Sequence, residues 1–262
     1  MMLADVHDPA TALFPVRVPE PTEAMTPEES ASLVAWQETP TGSAIYSALA
    51  AHVASRVPVR SGRLLSVAEG QGLLAARLAR RLPGVSVVGT DVCPEVVARA
   101  QADHLPKAGD NLSYEVASTY DLGKLGKFDA VVCLFSFHHF FEPELALAQM
   151  IGVLRPGGWL YLMDLRRDAS AGSYFRRLDD YVQVALPVAR LFRNSVQAAH
   201  TVAELRSLLG EHRSQLLDVG RIDWGDGAWE AYRREDRLGY EIARVEVPGL
   251  WLDAVLQVPE QK

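Results

Sequence analysis

The sequence predicts an α/β fold in which helices cover both faces of a doubly wound, mainly parallel sheet. From residue 63 to residue 163, short apolar runs alternate with longer amphipathic runs, the pattern of strands and helices in turn. In the clearest unit, an apolar run over residues 64–68 meets an amphipathic run through a bend that contains Gly70 and Gly72. A nearly continuous apolar run over residues 128–134 is typical of a central strand.

Composition limits the classes of protein to be considered. A chain of 262 residues with 48% hydrophobic residues is long enough for one large domain. The net charge of −7 and the lack of a basic stripe disfavour a nucleic-acid partner. The two cysteines, Cys93 and Cys133, form no CxxC pattern, and a reducing cytoplasm fits them. No apolar run has the length of a signal-peptide core or a membrane span, so we expect a cytoplasmic protein without a membrane partner.

The N-terminal third of the sequence predicts an extension followed by two helices. Residues 1–25 contain four prolines and few periodic apolar positions, which predicts a disordered extension. Thr26 and Glu29 form a capping box that begins a helix. Apolar residues one turn apart predict a second helix over residues 43–57. Both helices precede the first strand, so residues 26–60 can fold back over the strand ends as a lid, with Tyr46 as a candidate lid residue.

The rest of the chain predicts alternating strands and helices in a single domain that extends from residue 26 to residue 262. The predicted strands cover residues 63–68, 86–90, 112–117, 128–134, 159–163, 215–224 and 251–258. The predicted helices cover residues 73–81, 94–103, 143–154 and 201–209. Residues 165–200 are less regular and predict a variable substrate segment, and residues 225–246 predict an insertion.

Two features predict a nucleoside site. A strand, a glycine bend and a helix in succession allow a ligand to lie against bare backbone at the start of the helix. About twenty residues later, the second predicted strand ends in Asp91. A carboxylate at that place can accept hydrogen bonds from the two hydroxyls of a ribose.

The sequence resembles the class I S-adenosylmethionine-dependent methyltransferases, especially their small-molecule branch of the ubiquinone- and menaquinone-biosynthesis type. The resemblance extends over about residues 40–210. It rests on four features in order: the bend at residues 69–72, Asp91, the strand at 128–132 leading to His138 and His139, and residues 154–158. It implies a Rossmann-like seven-stranded sheet whose last strand is antiparallel. It also implies S-adenosylmethionine as cofactor and methyl transfer to a small molecule, aromatic or polyketide-like, by a monomer or homodimer.

The resemblance also implies where the cofactor binds. Gly70 and Gly72 would let the backbone approach its methionyl part, Asp91 would accept the ribose hydroxyls, and Val92 would pack on the adenine. The implied cofactor-binding residues are Tyr46, Ser66, Ala68, Glu69, Gly70, Gly72, Asp91, Val92, Ser118, Thr119, Tyr120, Leu134, Phe135 and Ser136. The family usually has an acid at Ser66 and Ser118 and a glycine at Ala68. Glu69 is a candidate substitute for the missing acid beside the ammonium group of the cofactor.

Methyl transfer from a sulfonium needs alignment and exclusion of water, and a general base only where the acceptor is a hydroxyl or an acidic carbon. His139 is the candidate base because it follows the fourth strand; the alternative is a histidine that orders its loop. The candidate substrate-pocket residues are His138, Phe140, Tyr174, Tyr181 and His200. No metal site is predicted, because no third ligand follows the adjacent histidines at a usable spacing.

Two other functions stay open at this point. Ser66 and Ser118 leave room for a protein that uses S-adenosylmethionine for other chemistry or as a structural or regulatory ligand. A nicotinamide oxidoreductase is disfavoured, because Ala75 replaces the third glycine of the GxGxxG pattern and no Tyr-x-x-x-Lys pair follows.

Overall fold

The computed structural model describes residues 14–107, 109–169, 171–184, 186–212, 216–221 and 251–259. The strands among them are β1 (Gly62–Val67), β2 (Val85–Asp91), β3 (Leu112–Val116), β4 (Phe128–Leu134), β5 (Leu154–Leu165), β6 (Leu216–Arg221) and β7 (Trp251–Gln257). The α-helices are α1 (Pro27–Gln37), α2 (Pro40–Arg56), α3 (Leu73–Arg81), α4 (Pro94–His104), α5 (Pro143–Gly152), α6 (Ala171–Val184), α7 (Leu186–Ala198) and α8 (Val202–Leu208). Residues 1–13 and the predicted insertion at 225–246 lie outside the described residues.

The described strands form one sheet in the order β3-β2-β1-β4-β5-β7-β6. Strands β1 to β5 pair in parallel, whereas β7 pairs antiparallel with both β5 and β6. The chain moves outward from β1 to β3 and then returns to β4 on the other side of β1. In such sheets, ligands bind beside the carboxyl ends of the strands at this change of direction. The doubly wound α/β sheet predicted from the sequence is therefore confirmed.

Two apolar clusters bury the two faces of the sheet. On one face, Leu64 of β1 and Val132 of β4 belong to a cluster that includes Leu49 of α2 and Leu78 of α3. On the other face, the neighbouring residues of the same strands pack with α5 and α8; they include Leu65, Val131, Leu147 and Leu205. Successive strand residues thus serve opposite faces, as the two-residue period of a strand requires.

Two stretches differ from their predicted structure. Strand β5 begins at Leu154, although the glycines at 157 and 158 were expected to separate a helix from a strand. The register between β4 and β5 shifts after Phe128, and Gly157 has a φ of 78°, so the extra residues form an irregularity in the ladder. Residues 171–198, which were expected to be irregular, form α6 and α7. Pro187 is tolerated because it lies in the first turn of α7.

Residues 14–25, which we name the strap, run across the carboxyl edge of the sheet. The guanidinium of Arg17 donates hydrogen bonds to the carbonyl oxygens of Ala198 (2.6 Å) and His138 (3.1 Å). The amide of Val18 donates to the carbonyl of Gln197 (3.0 Å). The strap was expected to be part of a disordered extension; instead, long-range hydrogen bonds hold it against the loop after β4 and the end of α7.

Candidate functional site

A cavity of about 220 Å³ opens at the carboxyl ends of β1, β2 and β4. The bend after β1 and the end of β2 contribute Ala68, Glu69, Gly70, Asp91 and Val92 to its wall. The loops after β3 and β4 contribute Ser118, Thr119, Tyr120, Leu134, Phe135 and Ser136. The helices α1 and α2 contribute Leu33, Trp36, Gln37, Ile45 and Tyr46. The cavity therefore unites residues that lie far apart in the sequence.

Gly70 forms the turn of the bend and exposes its backbone to the cavity. Its φ is +60°, a conformation that glycine adopts without strain, and an added Cβ would meet no atom within 4 Å. Its amide donates a hydrogen bond to Oδ2 of Asp91 over 3.0 Å. Ala68 also has a positive φ, of 51°, at the position where the family resemblance leads us to expect glycine. The bend therefore contains an alanine in a left-handed conformation and is tied directly to the end of β2.

Gly72 and Ser66, two of the residues assigned to the cofactor, lie outside the cavity wall. A Cβ at Gly72 would lie 2.7 Å from Cβ of Ala100 and 2.8 Å from the ring of Tyr114, so this glycine allows α3 to pack closely on α4 and β3. The side chain of Ser66 is 1% exposed and donates a hydrogen bond to the Glu69 carboxylate. Gly72 therefore acts in packing and Ser66 acts through Glu69.

Asp91 is arranged to bind a pair of hydroxyls. Its Oδ2 accepts the amide of Gly70 and its Oδ1 accepts the amide of Cys93, both at 3.0 Å. Each oxygen keeps another acceptor position after these bonds. The next residue, Val92, is 53% exposed and presents an apolar surface in the same cavity wall. A ribose with its attached planar base fits this pair of side chains.

Glu69 is a half-buried carboxylate in the bend before α3. It accepts hydrogen bonds from the Ser66 hydroxyl and, over 2.7 Å, from the amide of Ala75. Burial nevertheless raises the pKa of the Glu69 carboxyl to about 7. A cationic group beside it would favour the charged carboxylate. The Glu69 carboxylate, as an acceptor, therefore fits the ammonium group of an aminoacyl ligand such as S-adenosylmethionine.

The two histidines after β4 lie at the other end of the cavity. His138 is 2% exposed, its amide donates to Oδ2 of Asp164, and its Nδ1 lies 2.7 Å from Oδ1 of Asp164. Although burial opposes it, Asp164 raises the pKa of His138. His139 places its Nδ1 3.0 Å from Oε2 of Glu20, a residue of the strap. Both histidines line the cavity, as does Ser195 of α7, whose hydroxyl donates to Glu20 over 2.8 Å.

Glu20 and Asp164 were not identified as site residues from the sequence. Glu20 lies in a proline-containing stretch without periodicity, so no local pattern connects it with residues 138–139. Asp164 carried a usable signal, because it follows the fifth predicted strand as Asp91 ends the second. Acids that follow parallel strands meet at one edge of the sheet. Applied to Asp164, this rule places it near the loop after β4.

The predicted substrate-pocket residues divide into two groups. His138, Phe140 and Tyr181 line the cavity. Tyr174 and His200 do not. Tyr174 is 3% exposed and stacks on Phe192, with ring centroids 5.6 Å apart. His200 packs beside Phe137, with centroids 5.4 Å apart, and burial lowers its pKa to about 4. Tyr174 and His200 thus lie outside the wall of this cavity, because a sequence pattern does not distinguish an aromatic core position from a pocket wall.

Sequence comparison identifies related proteins. Residues 64–158 match the family model of a methyltransferase domain. The ubiquinone biosynthesis O-methyltransferase of Xanthomonas axonopodis pv. citri is 31% identical over 199 residues, which cover 75% of this chain and 77% of that protein. The enzyme of the same name from Xanthomonas campestris pv. campestris (strain B100) is 30% identical over the same shares of the two chains.

Structure comparison gives the same fold. The plantazolicin methyltransferase BpumL, in a complex with a triazolic desmethylPZN analog and SAH, superposes with a TM-score of 0.65 and 17% identity over 89% of this chain and 92% of that chain. The [4+2]-cyclase SpnF superposes with a TM-score of 0.60 and 17% identity, over 94% of this chain and 100% of that chain. The two sequence relatives and the cavity at the carboxyl ends of the strands lead to one conclusion. The chain belongs to the S-adenosylmethionine-dependent methyltransferases and uses S-adenosylmethionine as its cofactor.

Proposed function

We propose that this methyltransferase acts on a hydroxylated aromatic or similarly planar small molecule in a biosynthetic reaction. The observation that carries the proposal is a single cavity that joins a nucleoside-type site, Gly70 and Asp91, to two adjacent histidines, His138 and His139. Aromatic side chains line the same cavity. The two sequence relatives are named as O-methyltransferases of ubiquinone biosynthesis, and these names support the same class of acceptor.

The bend and β2 hold the cofactor in this proposal. Asp91 accepts the ribose hydroxyls, Val92 covers the adenine, and Glu69 pairs with the ammonium group. Ser118, Thr119 and Tyr120 edge the adenine, while Leu134, Phe135 and Ser136 lie beside the methyl group; Tyr46 covers the cofactor from α2. When bound, S-adenosylmethionine supplies an electrophilic methyl group on a sulfonium. The protein has to align the acceptor with that group and exclude water, and alignment alone contributes at most about 7–11 kcal/mol.

The histidine end of the cavity receives the acceptor. Trp36, Phe140, Tyr181 and Phe192 offer aromatic surface there, and Tyr181 contacts Trp36 edge to face with ring centroids 5.2 Å apart. His139 is the proposed general base for a hydroxyl acceptor. Its support is geometric: the side chain lines the cavity, and its Nδ1 lies 3.0 Å from Oε2 of Glu20.

The test is methyl transfer to a panel of catechols and other hydroxylated aromatic compounds, with mass spectrometry of the products. We expect a gain of one methyl group on at least one planar phenolic acceptor. His139→Gln should retain cofactor binding and lose most of the turnover of that acceptor, by roughly 10²–10⁴-fold for a general base. If all planar hydroxylated acceptors fail and an amine or an aliphatic acceptor is methylated instead, this acceptor class is wrong.

A second function has one observation in its favour. Ser66 stands where the family usually has an acid and serves only to hold Glu69. A protein that binds the cofactor for other chemistry would keep the nucleoside site and give products without an added methyl group. The mass spectra distinguish the two functions directly.

A further inference from the structure

Three metal-ligating side chains meet in the cavity wall. They come from the strap and from the loop after β4: Glu20, His138 and His139. Their donor atoms all lie within 4.8 Å of one another. Nε2 of His138 is 3.9 Å from Oε1 of Glu20, and Nδ1 of His139 is 3.0 Å from Oε2. Bonds of 2.0–2.2 Å in a tetrahedral site set the ligand atoms about 3.3–3.6 Å apart. The two measured distances lie on either side of this range, so small side-chain movements would bring the three donor atoms to one ion.

A buried nitrogen of His138 is a second, independent observation. Nε2 of His138 makes no hydrogen bond, although the residue is only 2% exposed. The Glu20 carboxylate, 3.9 Å away, lies beside this nitrogen but too far for a hydrogen bond. Buried nitrogens without a partner are uncommon in folded proteins. Nε2 of His138 and the Glu20 carboxylate are thus arranged as two atoms that would bind the same ion.

The surroundings of the cluster are those of a metal site. Asp164 lies 2.7 Å from Nδ1 of His138, and hydrogen bonding there leaves Nε2 of a neutral ring as an unprotonated donor. Metal-bound histidines usually donate their second nitrogen to a carboxylate or carbonyl in this way. The Ser195 hydroxyl, which donates to Oε1 of Glu20, holds the carboxylate in place. Two of the three ligands are therefore oriented by a neighbouring side chain: His138 by Asp164 and Glu20 by Ser195.

We propose that Glu20, His138 and His139 bind a divalent transition-metal ion, with zinc as the best match. Two imidazoles and one carboxylate form a donor set that zinc accepts, and three protein ligands leave a fourth position for water or substrate. The two histidines line the cavity, so the fourth position is within reach of a bound molecule. The sequence did not predict this site because the third ligand is 118 positions before the first histidine, from Glu20 to His138.

The proposal goes beyond the proposed function and has a consequence for it. An ion bound to Nδ1 of His139 leaves the proton of the neutral ring on Nε2, so that ring cannot accept another. The role of His139 as a base then belongs to the metal-free protein. In the loaded protein, an acceptor hydroxyl in the fourth position would lose its proton more readily, as metal-bound water does.

The test measures metal binding without reference to turnover. The full-length protein, stripped with a chelator, is titrated with zinc in competition with a chromophoric chelator, and separately with cobalt(II). We expect one zinc per chain, and visible cobalt bands of a tetrahedral site without a thiolate-to-cobalt band, which excludes Cys93 and Cys133 as ligands. Glu20→Gln and His139→Gln should each weaken zinc binding at least tenfold, and Asp164→Asn should weaken it about 10–100-fold.

Glu23→Gln is the matched control. Glu23 is another strap carboxylate in the cavity wall, but it accepts hydrogen bonds from the Tyr120 hydroxyl and the Phe141 amide. The Glu23→Gln variant should bind zinc with the affinity of the unchanged protein. Circular dichroism and cofactor binding establish that each variant is folded. Zinc binding that is absent in the unchanged protein, or equally strong in folded Glu20→Gln, would overturn the proposal, whether or not the protein methylates a planar acceptor.

Discussion

At the scale of single residues, two carboxylates at the same bend have different surroundings and therefore different properties. Asp91 accepts two backbone amides and keeps acceptor positions in the cavity. Glu69 is turned toward the start of α3, where burial raises its pKa to about 7. Asp91 is thus suited to hydroxyl groups. Glu69 is a carboxylate whose charge a bound cation would restore.

The first prediction concerns stability and pH. The pKa of Glu69 is about 7 in the folded protein, above its ordinary value of 4.5. The folded state therefore keeps a proton that the unfolded state releases, and this residue's contribution to the free energy of unfolding falls as pH rises from about 4.5 to about 7. Glu69→Gln should reduce this loss of stability with rising pH. Urea unfolding of both proteins at about pH 5 and about pH 8 measures it, and parallel profiles would contradict the prediction.

The second prediction concerns protons released on cofactor binding. If the ammonium group lies beside Glu69, binding lowers the carboxyl's pKa and expels its proton at about pH 7. Calorimetry of S-adenosylmethionine in buffers of different ionisation enthalpy should show fractional proton release, and Glu69→Gln should abolish the release. An equal release from both proteins would place the ammonium group elsewhere.

Residues near one another in sequence were predictable, and distant partners were not. The glycine bend and the acid at the end of the next strand form one local pattern, and Gly70 indeed bonds Asp91. The contact of Glu20 with the histidines depends on how the chain folds back over a distance of more than a hundred residues. Nothing in the neighbourhood of Glu20 in the sequence encodes that contact.

At the scale of elements, α3 owes its position to two glycines with different functions. Gly70 faces open space at a φ of +60°, whereas a Cβ at Gly72 would collide with Ala100 and Tyr114. The first glycine is required by the backbone alone. The second is required by the backbone and by close packing.

The third prediction follows from this difference. Gly70→Ala should cost about 1–2 kcal/mol of stability, the strain of a left-handed alanine. Gly72→Ala carries the same strain and adds about 1–3 kcal/mol for overpacking. Urea unfolding of the two variants gives the comparison. A Gly70→Ala variant that is as unstable as Gly72→Ala would mean that the bend packs against something other than the cavity.

The fourth prediction concerns the strap. Arg17→Ala removes hydrogen bonds to the carbonyls of His138 and Ala198, and loss of buried partners costs about 1–3 kcal/mol. Hydrogen exchange of the Val18 amide, which bonds Gln197, should become faster. Arg190→Ala is the control, because Arg190 is exposed and its ion pair with the exposed Glu28 is long, at 3.8 Å. Loss of Arg190 should change the free energy of unfolding by less than about 0.5 kcal/mol. Unchanged exchange at Val18 would show that Arg17 does not hold the strap.

Elements with strong local signals were predicted well. The capping box at Thr26 begins α1, α8 lies within the predicted helix at 201–209, and the apolar run at 128–134 is β4. The start of β5 was missed, because the glycines near Gly157 indicate a break while a β-irregularity absorbs them. Helices α6 and α7 were missed because their apolar residues pack against a core that the sequence does not reveal.

At the scale of the whole molecule, the order of the strands creates the site. Strands β1 and β4 are neighbours although β2 and β3 lie between them in the sequence, and the cavity opens where the direction of winding changes. The alternation of strands and helices is local information, which is why the α/β class was predictable. The sequence led us to expect residues 26–60 to cover the strand ends, and α1 and α2 of that stretch do line the cavity. The contribution of the strap and α7 to the cavity wall depends on long-range packing and became visible only in the structure. Among the described residues, no helix has the length and apolar character of a membrane span.

The central claim is that the bend at Gly70 and the carboxylate of Asp91 hold the cofactor. Calorimetric titration with S-adenosylhomocysteine tests it most directly, with Asp91→Ala compared with Asp103→Ala, whose half-exposed carboxylate pairs with the exposed Arg99. A hydrogen bond to a charged group contributes about 1.5–3 kcal/mol, so Asp91→Ala should bind at least tenfold more weakly and Asp103→Ala should match the unchanged protein. Equal affinity of all three folded proteins would contradict the claim.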